Sequence, residues 1–318
     1  MRPDPQPGPD GVLVVDKPRG ITSHDVVTRC RRILGTRRVG HVGTLDPLAT
    51  GVLPLVIGRT TRLATLLSKG DKIYHSVFRL GVVTNTYDVT GSVVADTTDL
   101  LGRKGGPAIT RDAIESMSRR FVGTFIQVPP PFSAKKIGGV RAYRLARRQE
   151  PVEPKPVEVT VRQLDIESLT NDRLSCRVTC APGFYVRSLA HDFGQELGCG
   201  ACLEELRREQ SGAFGLGEAV TMDQLERDHE SPTRHLVPMA KLLPNLPSVV
   251  VTARGARLAA HGNALTPPQF ESSSGAVSPG LDSPELKETV KVYDREGALL
   301  AIAEGSMAGV LHPRIVLV

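Results

Sequence analysis

Residues 40–57 read GHVGTLDPLATGVLPLVI, a glycine-rich loop that runs directly into a short apolar segment. The apolar residues 52–57 predict a buried strand. Asp46 precedes Pro47, which favours an extended backbone, and the surrounding glycines let the backbone approach a ligand closely. A carboxylate on such a loop can act as a nucleophile or a base. The alternative is an ordinary Asx turn, in which Asp46 only accepts hydrogen bonds from its own backbone.

The composition is typical of a soluble globular protein, with 40% hydrophobic and 23% charged residues among 318. This length suits one large domain and one small domain. The 40 Lys and Arg residues exceed the 34 Asp and Glu residues, which gives a net charge of +6. Such an excess is compatible with nucleic-acid binding but does not establish it. We expect no membrane span, because no segment approaches about 18–20 apolar residues.

The N-terminal sequence and the number of cysteines indicate the cellular compartment in which the protein works. Residues 1–10 contain four prolines and no apolar core, so we expect a disordered tail and not a signal peptide. The five cysteines are an odd number, which is typical of a reducing environment. We therefore expect a cytoplasmic protein.

The residue patterns from 11 to 245 predict one mixed α+β domain. It opens with a β-branched strand at 11–16, followed by a helix that Ser23 caps and that ends near Gly35. Further strands are predicted at 52–57 and 74–83, a helix at 110–121, a hairpin of strands at 157–169 and 173–180, and helices at 186–197 and 201–208.

Residues 248–318 show a different residue pattern, which predicts a small β-rich domain. Short strands are expected at 249–251, 289–293, 299–303 and 315–318. The Ser, Pro and Gly residues of 267–288 predict a flexible loop between them.

Two further segments could carry chemistry. Tyr74, at the start of a predicted strand, could offer a flat face to an unstacked base, or could be an ordinary core residue. Arg187, where a strand turns into a helix, could pair with a buried carboxylate and keep it ionised, or could simply face solvent. The residues alone leave both alternatives open.

A basic insert interrupts the predicted domain at about 124–152. Residues 134–148 carry six positive charges and no acid, and Arg141 and Arg144 would share a helical face. Phosphate contact and a solvated charge run explain this segment equally well. A second basic cluster, with Arg29, Arg31, Arg32, Arg37 and Arg38, precedes the Asp46 loop.

Four cysteines raise the alternative of a metal site. Cys176, Cys180, Cys199 and Cys202 could in principle bind zinc. However, Cys176 and Cys180 share a strand face with Leu174 and Val178, which is the pattern of small core residues. We therefore expect no metal.

Taken together, the ordered motifs resemble the TruB family of bacterial tRNA pseudouridine synthases over most of the chain. They are Asp16-Lys17-Pro18-x-Gly20-x-Thr22-Ser23, Gly40-His41-x-Gly43-Thr44-Leu45-Asp46-Pro47-Leu48-Ala49-x-Gly51, Lys72-x-Tyr74, Gly183-x-Tyr185-x-Arg187-Ser188-Leu189, and Leu206-Arg207-Arg208. Five motifs in order are far more specific than any one of them.

The resemblance implies a role for each matching residue. Asp46 would be the catalytic nucleophile, Tyr74 would stack on a flipped base, and Arg187 would pair with Asp46. The residues implied to bind substrate are His41, Lys17, Tyr185, Leu206 and Arg208, with Arg141 and Arg144 of the insert. For Lys17 we expect either support of the Asp46 loop or contact with phosphate.

The resemblance also implies a fold, a substrate and partners. It implies a pseudouridine synthase fold, with a mixed, largely antiparallel sheet and flanking helices, and a PUA-like RNA-binding domain at 248–318. The implied substrate is the uridine at position 55 in the T arm of tRNA, without a guide RNA. We expect a monomer that needs no cofactor, because the isomerisation involves no net oxidation and no group transfer.

Two other functions fit some of these features. An RNA chaperone that refolds tRNA without chemistry would also use the basic insert and the C-terminal region. A metal-dependent RNA-modifying enzyme would lose activity in a chelator, and we expect no such loss.

Overall fold

The computed structural model describes residues 8–101, 109–132, 154–274, 288–306 and 309–318, and the backbone of 136–137 and 140–141. Within these residues the α-helices are α1 (Ser23–Ile33), α2 (Ala64–Leu67), α3 (Arg111–Ser118), α4 (Val186–Glu196), α5 (Met222–Arg227) and α6 (Ala253–Ala260). The strands of the first half are β1 (Gly11–Lys17), β2 (Val39–His41), β3 (Thr50–Ile57), β4 (Lys72–Leu80), β5 (Val82–Thr84), β6 (Val93–Asp96), β7 (Gly123–Gln127), β8 (Lys136–Ile137) and β9 (Val140–Arg141). Those of the second half are β10 (Val157–Thr170), β11 (Arg173–Cys180), β12 (Ala201–Ser211), β13 (Phe214–Gly215), β14 (Val220–Thr221), β15 (Leu236–Val237), β16 (Ser248–Val251), β17 (Phe270–Ser274), β18 (Thr289–Tyr293), β19 (Leu299–Gly305) and β20 (Leu311–Val316).

A large mixed sheet forms the centre of residues 11–237. Its main strand order is β14-β1-β3-β12-β4-β11-β10-β7, with β2, β13 and β15 pairing at its margins. Most neighbours are antiparallel, but β1 and β14 are parallel, as are β3 and β12, which meet at Gly51 and Arg208. Strand β1 is buried on both faces, which explains its apolar run Val12–Val15.

Helices cover one face of this sheet. Their apolar residues share one core with the strands, among them Val26 of α1, Ile114 of α3, Phe193 of α4 and Leu225 of α5. The predicted α+β class and the predicted helices at 110–121 and 186–197 are confirmed, with a 3₁₀ turn completing the first of them after Ser118.

The start of α1 differs from the prediction in one detail. Thr22, and not Ser23, is the N-cap, and it forms a capping box with Asp25. The Ser23 side chain is buried and bonds elsewhere. Gly35 has a positive φ of 62°, as expected for the residue that ends the helix.

The predicted hairpin is confirmed. Strands β10 and β11 pair antiparallel across Asn171 and Asp172, and Asn171 adopts a φ of 54°. Such a left-handed residue is what a two-residue hairpin turn requires.

The predicted helix at 201–208 is wrong, because these residues form the central strand β12. Two irregularities, between Leu203 and Glu205 and between Arg208 and Gln210, interrupt its pairing with β4. Each inserts one extra residue, so buried Leu203 and Leu206 stand three apart instead of two. The bulges therefore gave a strand the residue spacing of a helix.

A second sheet of five strands, in the order β17-β16-β18-β19-β20, occupies residues 248–316. The expected strands are present, except that the last lies at Leu311–Val316 and ends before Val318. Helix α6 was not predicted. Strand β17 covers part of the predicted loop 267–288, and residues 275–287 lie outside the described residues.

The second sheet packs against the face of the large sheet that the helices leave open. Leu299, Ile302 and Leu317 share a buried cluster with Val12 and Val52. Within the described part of the chain, no helix is long and apolar enough to cross a membrane. Most of the predicted N-terminal tail, residues 1–7, lies outside the described residues.

Candidate active site

Lys17, the last residue of β1, binds the backbone of the Asp46 loop. The Lys17 Nζ donates to the Ala49 carbonyl at 2.7 Å and to the Pro18 carbonyl at 2.9 Å, with Pro47 O at 3.5 Å. Its side chain is 0% exposed, and burial lowers the pKa of Lys17 to about 8 despite the opposing effect of Asp46. The structure therefore favours loop support for Lys17 over contact with phosphate.

Ser23 and Arg208 hold the two ends of the same loop. The buried Ser23 hydroxyl donates to the Leu45 carbonyl and accepts from the Leu45 N–H, both at 2.9 Å. Arg208 donates through Nε to Val52 O at 2.7 Å and through Nη2 to Gly43 O at 2.9 Å. Arg208 is only 1% exposed, and these two bonds tie residues on either side of Asp46 to β12.

Asp46 and Arg187 form the ion pair that the motifs implied. Arg187 Nε lies 2.9 Å from Asp46 Oδ2, with side-chain exposures of 6% for the arginine and 40% for the aspartate. The remaining donors of Arg187 reach the Thr86 carbonyl at 3.1 Å and the Phe132 carbonyl at 2.9 Å. A buried guanidinium needs such acceptors, since an unpaired charge would be costly to desolvate. The ion pair thus presents an oriented, accessible carboxylate.

A second carboxylate, Asp88, was missed by the sequence reasoning. Its Oδ2 lies 3.6 Å from Arg187 Nη1, and its side chain is nearly fully buried. Thr86 and Thr90 donate to Asp88 Oδ1 through their hydroxyls. Threonines two residues to either side of an aspartate are a local turn signal. Nothing in that signal indicates an arginine about a hundred residues away.

The start of α4, which carries Arg187, is held by strand β7. The Gln127 side chain accepts from the Tyr185 N–H at 3.0 Å and donates to the Tyr185 carbonyl at 3.1 Å. Ser188 Oγ donates to the Val128 carbonyl at 2.7 Å. These bonds tie the start of α4 to the end of β7, although no side chain caps the helix.

These elements surround a cavity of about 310 Å³. The predicted site residues that line it are Asp46, Tyr74, Tyr185, Leu206, Arg187 and Arg208. Its volume lies at the lower end of the range of about 300–1,000 Å³ that is common for small-molecule sites. The fold therefore brings segments from four distant parts of the chain around one aspartate.

Tyr74 and Lys72 occupy the wall that β4 contributes. Burial raises the pKa of the Tyr74 phenol, so the hydroxyl stays protonated near neutral pH. Lys72 donates to the Ser68 carbonyl at 2.6 Å and also to Gly70 O, and burial lowers its pKa. The prediction did not assign a site role to Lys72, although it lines the cavity.

Four predicted substrate-binding residues either do not line this cavity or have no described side chain, and Lys17, which supports the Asp46 loop, is one of them. His41 ends β2 opposite Leu55 and is not among the lining residues. The backbone of Arg141 belongs to β9, but its side chain is not described, and Arg144 lies outside the described residues.

The cysteines behave as core residues. All five are free and buried, and burial raises the pKa of Cys176 and of Cys180 to about 12. Cys176 and Cys180 belong to the apolar core of the large sheet. Among the described residues, no group of three or more His, Cys, Asp or Glu side chains could hold a metal ion.

Two family models match adjacent segments of the chain, which together span residues 31–244. Residues 31–186 match the TruB family pseudouridylate synthase N-terminal domain, and residues 187–244 match the tRNA pseudouridylate synthase B C-terminal domain. The chain belongs to the TruB family. The TruB resemblance inferred from the motifs is thereby confirmed, and so is the prediction of an enzyme of the isomerase class.

Curated TruB relatives resemble the chain over nearly its whole length. "tRNA pseudouridine synthase B" of Solibacter usitatus is 42% identical, over 97% of this chain and 100% of the relative. The protein of the same name from Thermobifida fusca is 40% identical, over 91% and 96%. That from Stutzerimonas stutzeri is 38% identical, over 96% and 94%.

Solved structures confirm the TruB fold. A chain of a Cbf5-Nop10-Gar1 complex superposes with a TM-score of 0.71 at 24% identity, over 97% of this chain and 85% of that one. A chain of the archaeal box H/ACA sRNP Nop10-Cbf5 complex gives 0.69 at 25% identity, over 97% and 86%. The predicted pseudouridine synthase fold with an additional C-terminal β region is therefore correct.

Proposed function

We propose that this enzyme converts the uridine at position 55 in the T arm of tRNA to pseudouridine, with Asp46 as the catalytic nucleophile. The observation that carries the proposal is the Asp46 carboxylate, held by Arg187 at 2.9 Å and 40% exposed to the cavity. The tRNA substrate is supported by the names of the full-length relatives. Position 55 rests on the motif resemblance.

The reaction sets simple chemical requirements. The N1–C1′ bond of uridine breaks and a C5–C1′ bond forms, while C5 loses its proton to solvent and N1 gains a proton. Because atoms and electrons balance within the nucleotide, the reaction calls for no redox partner and no metal. It does call for a carboxylate that can attack or stabilise the detached intermediate.

The cavity suits a single base taken out of its stack. Extrusion costs a few kcal/mol, which contacts in the pocket can offset. We assign stacking on the flipped base to Tyr74, whose protonated hydroxyl could also deliver a proton. Tyr185 and Leu206 would form the apolar wall around the base.

Arg187 has two roles in this proposal. Its Nε–H bond fixes one oxygen of Asp46, which leaves the other oxygen for the nucleotide. Its positive charge also stabilises negative charge near the reacting bond in a partly water-excluded site. The carbonyls of Thr86 and Phe132 prevent this guanidinium from turning away.

We further propose how the enzyme meets its substrate. Residues 11–245 would form the catalytic domain and residues 248–318 a PUA-like domain that contacts RNA. The basic insert at about 124–152 and His41 would contact the T arm. The enzyme would act in the cytoplasm as a monomer without a guide RNA, in contrast to the H/ACA RNP that was solved with a bound substrate RNA.

The test measures tritium release from a T-arm stem-loop labelled at uracil C5. Asp46→Asn should abolish release and leave the Kd for RNA within about twofold, because the substitution removes charge and little volume. The matched control is Asp165→Asn, an exposed aspartate on β10, which should keep full activity. No release by the wild type, with tight binding, would favour the chaperone alternative. Full activity of Asp46→Asn would overturn the role of Asp46.

A further inference from the structure

The turn that supplies acceptors to Arg187 has an unusual backbone. Tyr87 lies between Thr86 and Asp88, which both contact the Arg187 guanidinium. Its φ is 64°, a left-handed conformation that residues with a Cβ rarely adopt. Strained residues of this kind persist only where the surrounding structure holds them. The source of that restraint therefore matters for the site.

The ring of Tyr87 stacks on His191 of α4. The ring centroids are 3.9 Å apart and the planes are inclined by only 6°. On α4, His191 stands four residues after Arg187, so both side chains project from the same face of the helix. Helix α4 therefore contacts this turn at two points. The Arg187 guanidinium bonds the oxygens of Thr86 and Asp88, and the His191 imidazole stacks on the Tyr87 ring.

The imidazole acts here as a flat surface. Its Nδ1 is buried and makes no hydrogen bond within the described residues. Burial also lowers the pKa of His191, so the ring is neutral near neutral pH. A neutral ring without a hydrogen bond at this nitrogen can be replaced by another flat ring with little loss.

The backbone of Tyr87 is fastened on its other side by β12. The Leu203 N–H donates to the Tyr87 carbonyl, and the Val89 N–H donates to the Leu203 carbonyl, both at 2.9 Å. These bonds fix the position of the turn along β12, but they do not fix the orientation of the Tyr87 ring. The stack on His191 supplies that second restraint.

We propose that His191 is a positioning residue for pseudouridine formation, which acts by stacking on Tyr87 and so holding Thr86 and Asp88 against Arg187. Loss of the stack would let Tyr87 relax toward negative φ. Thr86 O and the Asp88 carboxylate would then move, and Arg187 would no longer align Asp46. The inference rests on the proposed function of Asp46 and Arg187.

Steady-state kinetics with the C5-tritiated T-arm stem-loop tests the proposal. His191→Ala should lower kcat by about 10- to 100-fold, because small displacements of positioning groups cost that much, while KM stays within about twofold. His191→Phe and Tyr87→Phe keep both flat rings and should retain kcat within about threefold. A purely structural role would instead lower the melting temperature of His191→Ala and leave its kcat unchanged at a temperature where the variant stays folded.

A matched control separates positioning from general loosening of α4. Phe121, in the turn after α3, stacks on Phe193 of α4 with ring centroids 5.5 Å apart. Phe121→Leu should lower the melting temperature and leave kcat nearly unchanged. Equal kcat losses in Phe121→Leu and His191→Ala would overturn the proposal, as would wild-type kcat in His191→Ala or a failure of His191→Phe to recover it.

A second measurement needs no substrate and therefore remains valid if the proposed function fails. In a ¹⁵N–¹H spectrum of the arginine Nε–H groups, the Arg187 signal is assigned by its loss in Arg187→Lys. Its hydrogen exchange should accelerate in His191→Ala and remain slow in His191→Phe. Unchanged exchange in His191→Ala would overturn the proposal, whereas an inactive wild type with this exchange pattern would overturn only the proposed function.

Discussion

At the scale of single residues, the site depends on charges that are buried and fully bonded. Lys17 and Arg208 each satisfy their donors with main-chain carbonyls of the Asp46 loop. Arg187 does the same with Thr86 and Phe132 while it also contacts Asp46. Because breaking a buried polar pair costs far more than forming it gains, such residues constrain geometry more than they add stability.

Lys17 should make stability depend on pH in a defined direction. Its pKa is about 8 in the folded protein, below the ordinary value of 10.5. Between these values the unfolded chain binds more protons than the folded chain, so stability rises with pH through this window and is lowest below it. Denaturant unfolding of the wild type and of Lys17→Met, from about pH 7.5 to pH 10, measures the contribution.

The difference between the wild type and Lys17→Met cancels the contributions of the other titrating groups to the free energy of unfolding. Lys72 and the buried thiols also have shifted pKa values, but both variants contain them. We expect the difference in unfolding free energy, wild type minus Lys17→Met, to increase from pH 8 upward by about 1 kcal/mol or more. If this difference stays constant or falls with pH, the folded protein does not lower the pKa of Lys17.

At the scale of elements, one short stretch joins helix α1 to the Asp46 loop. Thr22 caps the helix and is exposed, whereas its neighbour Ser23 is buried and bonds both backbone groups of Leu45. Two adjacent hydroxyls thus serve different elements. One stabilises a helix end and the other positions the residue before Asp46.

Alanine replacements at these two positions should separate stability from activity. Ser23→Ala should cost about 1–3 kcal/mol of stability by leaving buried Leu45 groups unpaired. Thr22→Ala should cost a comparable 0.5–2 kcal/mol, roughly, by removing the helix cap. Only Ser23→Ala should also lower kcat, by about tenfold, because the Asp46 loop loses its tether. Thermal unfolding and tritium release measure both effects, and equal kcat values in the two variants would contradict this role.

Strand β12 shows how an element can be misassigned while its residues are correctly chosen. Leu206 and Arg208 were predicted as site residues and do line the cavity. Their predicted helix was wrong because two bulges removed the alternation by which strands are found. Bulges depend on pairing with β4, which lies more than a hundred residues earlier in the chain.

At the scale of the whole molecule, the two sheets share a buried apolar cluster. Leu317, which follows β20, is fully buried in the cluster that also contains Val12 and Leu242. By contrast, Leu265 is fully buried within the core of the second sheet alone. The two leucines therefore report on different parts of the structure.

Leu317→Ala should uncouple the sheets. We expect it to cost about 2–5 kcal/mol, as is usual for buried leucines, and to split the calorimetric transition into two. Leu265→Ala should cost a similar amount, about 2–5 kcal/mol, without adding a second transition, because the contact between the sheets stays intact. Scanning calorimetry of both variants checks this, and a single transition in Leu317→Ala would mean that other contacts couple the sheets.

The local sequence determined much of this protein. A β-branched run indicated β1, apolar residues at helical spacing indicated α3, and the Asn171-Asp172 turn indicated the hairpin, because these signals arise from steric and hydrophobic preferences within a few residues. The motifs around Asp46, Tyr74 and Arg187 indicated the TruB family, since they keep a fixed order. The roles assigned to these residues stay predictions until the variants are measured.

Only the tertiary structure decided which groups meet. It brought Asp88 to Arg187 across about a hundred residues, placed His191 on Tyr87, and turned Lys17 inward beneath the loop. It also placed His41 outside the cavity lining. These contacts depend on the register of β3, β4 and β12, and register is set by the packing of whole strands and by bulges. No pattern within one segment contains that information.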